Sequence, residues 1–151
     1  TQETVLFSPL SGKVIPLENV EDEAFSSKVL GDGIAVEPDD GRLFAPCDGK
    51  VEMVFDPKHA INIVSVTGCE ILLHIGIDTV KLNGKYFKTH VSNGQAIHKG
   101  DLLISFDIAE IKKAGYKITT PMIICNMEQY SAISAKTSDS IRMGEELLKV
   151  K

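Results

Sequence analysis

His59 and His74 stand 15 positions apart in the chain. Each belongs to an apolar run, the first His59-Ala60-Ile61-Asn62-Ile63-Val64-Ser65-Val66 and the second Cys69-Glu70-Ile71-Leu72-Leu73-His74-Ile75-Gly76-Ile77. Two imidazoles brought together by such runs could carry out phosphoryl transfer. A free imidazole titrates near pH ~6.5, so at neutral pH one ring offers a lone pair as nucleophile while its neighbour donates a hydrogen bond. The transition state spreads negative charge over the equatorial oxygens, and catalysis is mainly in-line positioning with donors aimed at those oxygens. Metal binding is the rival use, but zinc sites draw on more protein ligands than two histidines supply. Asp78 is a candidate third ligand if the second strand continues that far. On the residues alone, a structural pair of histidines in apolar strands is equally compatible.

For the rings to meet, the two runs must form one antiparallel hairpin. Thr67-Gly68 between them reads as a tight turn. If His74 pairs directly with His59, or with Ile61, the rings are opposite or diagonal on one face, because strand side chains alternate. A three-residue loop would shift the register by one and send them to opposite faces.

Short strand-like segments punctuated by Gly, Pro and Asp run through nearly the whole chain, which predicts an all-β fold, an antiparallel β-sandwich or barrel. Two internal echoes suggest pseudo-symmetric repeats. Ser8-Pro9-Leu10-Ser11-Gly12-Lys13-Val14 is similar to Ala45-Pro46-Cys47-Asp48-Gly49-Lys50-Val51, and Lys99-Gly100-Asp101-Leu102-Leu103 to Met143-Gly144-Glu145-Glu146-Leu147-Leu148. Helix is confined to two short stretches. Asp107 to Gly115 has an N-cap in Asp107, a capping-box partner in Glu110 and a stop in Gly115. Asp22 to Ser27 predicts one turn, followed by Gly31-Asp32-Gly33, whose glycines suggest a sharp reversal.

At 151 residues, 43% of them hydrophobic, residues 1–151 read as one domain able to bury a core without staples. Cys47, Cys69 and Cys125 are odd in number and widely spaced, which argues against a disulfide framework and for a reducing compartment. The formal charge of −5, without a basic stripe, argues against nucleic acid and suits a basic protein partner. No segment reads as a membrane span or leader, so the expected location is cytoplasmic, with no direct membrane insertion. No cofactor is implied. His90 and His98 read as surface residues, Lys112-Lys113 as a solvated helix face, and Phe25, Val29 and Phe55, by composition, as core.

Phe55-Asp56-Pro57-Lys58-His59-Ala60-Ile61 and Glu70-Ile71-Leu72-Leu73-His74-Ile75-Gly76-Ile77-Asp78-Thr79-Val80-Lys81-Leu82-Asn83-Gly84 together resemble the IIA domain of the glucose family of the bacterial phosphoenolpyruvate-dependent sugar phosphotransferase system. The resemblance extends to Gly31-Asp32-Gly33-Ile34-Ala35, Ala45-Pro46-Cys47-Asp48-Gly49 and Thr120-Pro121-Met122-Ile123-Ile124-Cys125-Asn126-Met127, and so covers residues 5 to 150. It implies a phosphocarrier whose His74 is phosphorylated at Nε2 by the histidine-containing phosphocarrier HPr and passes the group to a cysteine of a IIB domain. His59 would hydrogen-bond the phosphoryl oxygens, so its loss should spare acceptance more than donation. The resemblance also implies that Phe25, Val29 and Phe55 form an exposed apolar ring that docks partners, with Asp22, Asp32 and Asp78 facing basic groups of HPr.

Two departures stand out. Family members usually carry a hydroxyl residue two positions before the first histidine, where this chain has Pro57, which cannot donate. Glu23-Ala24 precede Phe25 where apolar bulk is more usual. An N-terminal amphipathic tail seen in some free-standing members is not recognised, which fits a domain of a larger permease. A regulatory module attached to an unrelated transporter and a zinc hydrolase on a β scaffold stay open beside the phosphocarrier; a biotinyl or lipoyl carrier fits less well.

Overall fold

A computed structural model describes residues 2–136 and 138–151 of the chain. Its first half contains β1 (Thr4–Phe7), β2 (Gly12–Pro16), the single helical turn α1 (Glu23–Ser26), β3 (Asp32–Pro38), β4 (Arg42–Phe44), β5 (Gly49–Val54), β6 (Ala60–Ser65) and β7 (Glu70–His74). The second half adds β8 (Phe87–Thr89), β9 (Ala96–Ile97), β10 (Leu102–Phe106), α2 (Ile108–Lys113), β11 (Thr120–Ile124), β12 (Ile133–Ala135), β13 (Ser140–Ile141) and β14 (Glu146–Val150). The all-β antiparallel architecture expected from the punctuated short strands is the one observed. An eight-stranded sheet in the order β13-β2-β3-β11-β7-β6-β5-β9 is joined by two three-stranded sheets, β1-β14-β12 and β4-β10-β8.

Side-chain alternation turns one face of the large sheet toward the main core. Val51, Ile63, Ile71 and Ile124 form one row across β5, β6, β7 and β11, and Ile61, Leu73, Met122 and Ile34 form the next. All eight are buried, and removing such a run of β-branched and Leu side chains from water is the main stabilising contribution to the fold. The opposite face carries a smaller apolar cluster. Leu17, Val20, Phe25, Ala35, Ile77 and Ile123 pack there with Ile15 and Leu72. The turn α1 lies over this second cluster because Phe25 is its apolar residue, and Asp22 starts the turn by accepting from the Ala24 amide at 2.9 Å.

The sequence echoes are related by reciprocal hydrogen bonds. The Phe7 amide donates to the Pro46 carbonyl and the Phe44 amide to the Pro9 carbonyl, both at 2.9 Å. Gly144 donates to the Ser8 carbonyl and Gly100 to the Ala45 carbonyl, again both at 2.9 Å. Each Pro-x-x-Gly turn therefore binds its counterpart, and the two halves of the molecule meet about a pseudo-two-fold relation. The helix expected at Asp107 to Gly115 forms as α2, with Asp107 accepting from the Glu110 amide at 3.1 Å and Gly115 at φ +97° beyond its end. The reciprocal half of that capping box is replaced: the Asp107 amide donates to the Tyr86 carbonyl.

At Gly31-Asp32-Gly33 the glycines do a different job from the expected reversal. A Cβ on Gly31 would lie 2.1 Å from the Ile124 carbonyl oxygen, and one on Gly33 would lie 2.0 Å from that of Met122. They let β3 approach β11 closely.

Candidate active site

The hairpin of β6 and β7 is closed by a three-residue loop, Val66-Thr67-Gly68, with Gly68 at φ +92° and its amide donating to the Ser65 carbonyl. Register is thereby shifted by one from either expected pairing: His74 lies opposite Ala60, and Ile61 opposite Leu73. Strand alternation alone would separate the histidines. They meet nonetheless, with ring centroids 4.8 Å apart and planes at 87°. The reason is local. His59 precedes β6, in a bend after Lys58, whose φ is +65°, so the strand rule does not govern its side chain. Its carbonyl still accepts from the Ile75 amide at 2.7 Å, which anchors the backbone beside β7.

That left-handed residue supports a stability prediction. A lysine at positive φ is strained where glycine is not. Lys58→Gly should raise stability by about 0.5–1 kcal/mol and Lys58→Val lower it by about 1–2 kcal/mol in urea unfolding.

His74 ends β7 on the sheet's outer face and is partly exposed. Its Nδ1 donates to the Gly76 carbonyl at 2.8 Å. A carbonyl can only accept, so the neutral ring carries its proton on Nδ1 and presents the Nε2 lone pair. Burial lowers its pKa, opposed by the Gly76 carbonyl and by the negative charges of Asp22 and Asp78. The carbonyl is held in turn by its loop. Gly76 has φ +80°, the Ile77 amide donates to the Lys117 carbonyl at 3.0 Å, and the buried Thr79 hydroxyl donates to the Ile75 carbonyl.

His59 is 4% exposed, and its Nδ1 is buried without a hydrogen-bond partner. Position 57, two residues earlier, is the proline that supplies neither donor nor acceptor from its side chain. An orphaned N–H costs more than an orphaned lone pair, so the neutral ring keeps its proton on Nε2. Burial, and secondarily His74, push the His59 pKa down to about 4 from an ordinary 6.5. The sign of the pH effect follows. Between those two values the unfolded chain binds the proton and the folded chain does not, so stability is complete above pH ~6.5 and is lost as pH falls toward about 4. Urea unfolding at pH 7 and 4.5 should differ by about 1–2 kcal/mol through this group, and His59→Gln should remove that part of the difference. An unchanged pH dependence in His59→Gln would contradict it.

Among the expected contact residues, Phe25 is corrected. Its ring lies 5.0 Å from that of His74, but it is 4% exposed and belongs to the cluster under α1. It backs the histidine from inside, because the apolar Leu17, Val20 and Ile77 around it leave no path to the surface. Phe55 is half-buried and stands edge-on to His59 at 6.0 Å. Val29 is 75% exposed, and Leu30 and Val80, which the sequence reading did not single out, are also exposed. Asp22 and Asp78 act on His74. Asp32 instead accepts from the Gly33 amide at 2.8 Å and pairs with Lys28 at 3.5 Å. His90 and His98 are exposed. Among the described residues no cluster of His, Cys, Asp and Glu has the makings of a metal site.

The roles of Gly76 and Thr79 were also missed. Their only signal was a glycine and a threonine just after an apolar strand, and backbone carbonyl direction cannot be read from residue type.

Comparison with known proteins shows the family of the chain. Residues 4–130 match the family model described as phosphoenolpyruvate-dependent sugar phosphotransferase system, EIIA 1. The chain is 48% identical over 143 residues to the PTS system beta-glucoside-specific EIIBCA component of Halalkalibacterium halodurans, covering 95% of this chain and 22% of that protein. It is 44% identical over 144 residues to the component of the same name from Bacillus subtilis, covering 95% of this chain and 24% of that protein. The chain thus spans about a quarter of the length of the relatives it matches. The solved structure of glucose permease IIA from Mycoplasma capricolum superposes with a TM-score of 0.93 at 34% identity, over 100% of this chain and 97% of the other. With residues 4–130 matching the family model and the fold superposing on a solved member, the chain belongs to the EIIA 1 family of the phosphoenolpyruvate-dependent sugar phosphotransferase system.

Proposed function

We propose that this chain carries a phosphoryl group on His74 Nε2, accepting it from the phosphohistidine of HPr and donating it to a cysteine of a IIB domain. The observation that carries the reading is the orientation of His74: Nδ1 is tied to the Gly76 carbonyl, Nε2 is left as nucleophile, and a second imidazole stands edge-on at 4.8 Å.

In acceptance the Nε2 lone pair forms the new N–P bond as the donor's P–N bond breaks, and the donor ring leaves with that bond's electron pair. The proton stays on Nδ1, hydrogen-bonded to the Gly76 carbonyl. His59, neutral and protonated on Nε2, supplies a hydrogen bond to the charge spread over the phosphoryl oxygens. In donation the same bond breaks toward the sulfur of an attacking thiolate, and the His74 lone pair is restored. Val29, Leu30, Val80 and Phe55 offer apolar contact to both partners, and Asp78 and Asp22 offer charge to a basic one.

The relatives are EIIBCA components, which supports service to a IIB domain over regulation of an unrelated transporter, and a β-glucoside permease as the system served. Among the described residues no helix is long and apolar enough to cross a membrane. In this reading the domain works in the cytoplasm, tethered through its permease. The test is incubation with phosphoenolpyruvate, enzyme I and HPr. Acid-labile label on His74, chased onto a IIB cysteine, is expected; label absent, or elsewhere than His74, overturns the proposal.

A further inference from the structure

A site that holds phosphate for its own sake surrounds it with Arg, Lys and backbone amides. The surroundings of His74 are the reverse. Two carboxylates come to it from independent elements. Asp22 starts the turn α1, whose Phe25 ring lies 5.0 Å from that of His74. Asp78 lies in the loop whose Gly76 carbonyl accepts the hydrogen bond from Nδ1, and it is exposed in the left-handed conformation at φ +59°. Nearby acids have cations: Glu21 pairs with Lys117, and Asp32 with Lys28. Among the described residues neither Asp22 nor Asp78 has an ion-pair partner.

We infer that the unneutralised carboxylates of Asp22 and Asp78 raise the free energy of the phosphorylated His74, keeping the group easy to give away. This rests on His74 as the phosphoryl acceptor, and it assigns the two acids a role in the isolated protein that docking does not require. A phosphoryl group on Nε2 adds negative charge to a half-buried ring that already feels the charges of Asp22 and Asp78, and Coulomb repulsion there is stronger than in bulk water. The same charges favour the proton on Nδ1, which makes the imidazole the better leaving group when the N–P bond breaks. Both effects push toward transfer. Asp22 and Asp78 are positioning residues in this sense: they act through His74 and form no bond to the phosphoryl group.

The experiment compares wild type with Asp22→Asn, Asp78→Asn and the double variant, all fully phosphorylated through HPr. Asn at position 22 keeps an N-cap oxygen, so α1 is retained. Glu128→Gln is the control: it removes one charge from the turn after β11, beyond the end that pairs with the start of β7 and away from His74. Two quantities are read, the equilibrium constant for exchange with phospho-HPr and the rate of phosphohistidine hydrolysis with no partner present. Each single variant should move the equilibrium toward the phosphorylated domain about 3- to 10-fold and slow hydrolysis by a similar factor, with the double variant larger and the control unmoved.

If transfer rates fall while equilibrium and hydrolysis stay at wild-type values, the acids serve docking alone and the inference is wrong. Failure of wild-type His74 to take any label is a different result, which overturns the phosphocarrier function and this inference with it.

Discussion

His74→Ala is expected to abolish phosphorylation from phosphoenolpyruvate, enzyme I and HPr, whereas His59→Ala should leave acceptance within about 10-fold and slow donation to IIB by about 100-fold or more. The asymmetry has a physical source. In acceptance the nucleophile is a neutral imidazole, oriented by the Gly76 carbonyl at 2.8 Å independently of His59. In donation the nucleophile is an anionic thiolate approaching a phosphoryl group that is itself negative, so the reaction depends more on a donor that draws charge onto the oxygens. His59→Gln, which keeps an N–H near the same place, should recover part of the donation rate. Rapid-quench measurement of the two half-reactions separates them. Equal losses in both directions would mean that His59 acts only by packing against His74 and Phe55.

Gly76→Ala should be among the most damaging single substitutions outside the histidines. Its φ of +80° disfavours any Cβ, and the added carbon would lie 2.6 Å from Thr79 Cγ2 and 2.8 Å from the Lys117 carbonyl oxygen. The second contact is backbone and cannot swing aside. Strain and overpacking together should cost about 2–4 kcal/mol, visible as a fall in melting temperature of about 5–15 °C. Relief of the clash moves the peptide whose oxygen holds His74 Nδ1, so the phosphorylation rate of the surviving folded protein should also drop about 10-fold or more. Gly84→Ala is the matched comparison. It has φ +89°, but its Cβ would meet Lys58 Cδ at an ordinary 3.6 Å, so it should lose about 1 kcal/mol and keep its rate. Similar behaviour of the two variants would remove the claim that crowding at Gly76 positions His74.

Periodicity and punctuation made much of this architecture legible. The apolar runs around Ile63 and Ile71 pair as a hairpin, the short segments form antiparallel sheets, and α2 begins at its Asp107 cap. The Pro-x-x-Gly echoes proved to be one structural device used twice, because proline and glycine constrain the chain locally wherever they occur. Gly31 and Gly33 were legible as special and illegible in role, since close approach to β11 carbonyls depends on a strand about 90 residues away.

The choice of His59 and His74 as a candidate pair came from residue type and spacing, and that of Asp22, Asp32 and Asp78 as acids near them came from the family resemblance. How the rings meet did not. The loop Val66-Thr67-Gly68 sets a register that by alternation would part them, and one left-handed residue, Lys58, brings His59 back by taking it out of the strand. Likewise the family resemblance put Phe25 beside the site on an exposed ring while composition read it as core, and the packing of α1 on Leu17, Val20 and Ile77 decides for the core. Side-chain type and local turn chemistry are properties of short stretches and survive being read one residue at a time. Register, carbonyl direction and burial depend on which distant surfaces come to lie together, and those are decided when the apolar faces of the sheet find their partners.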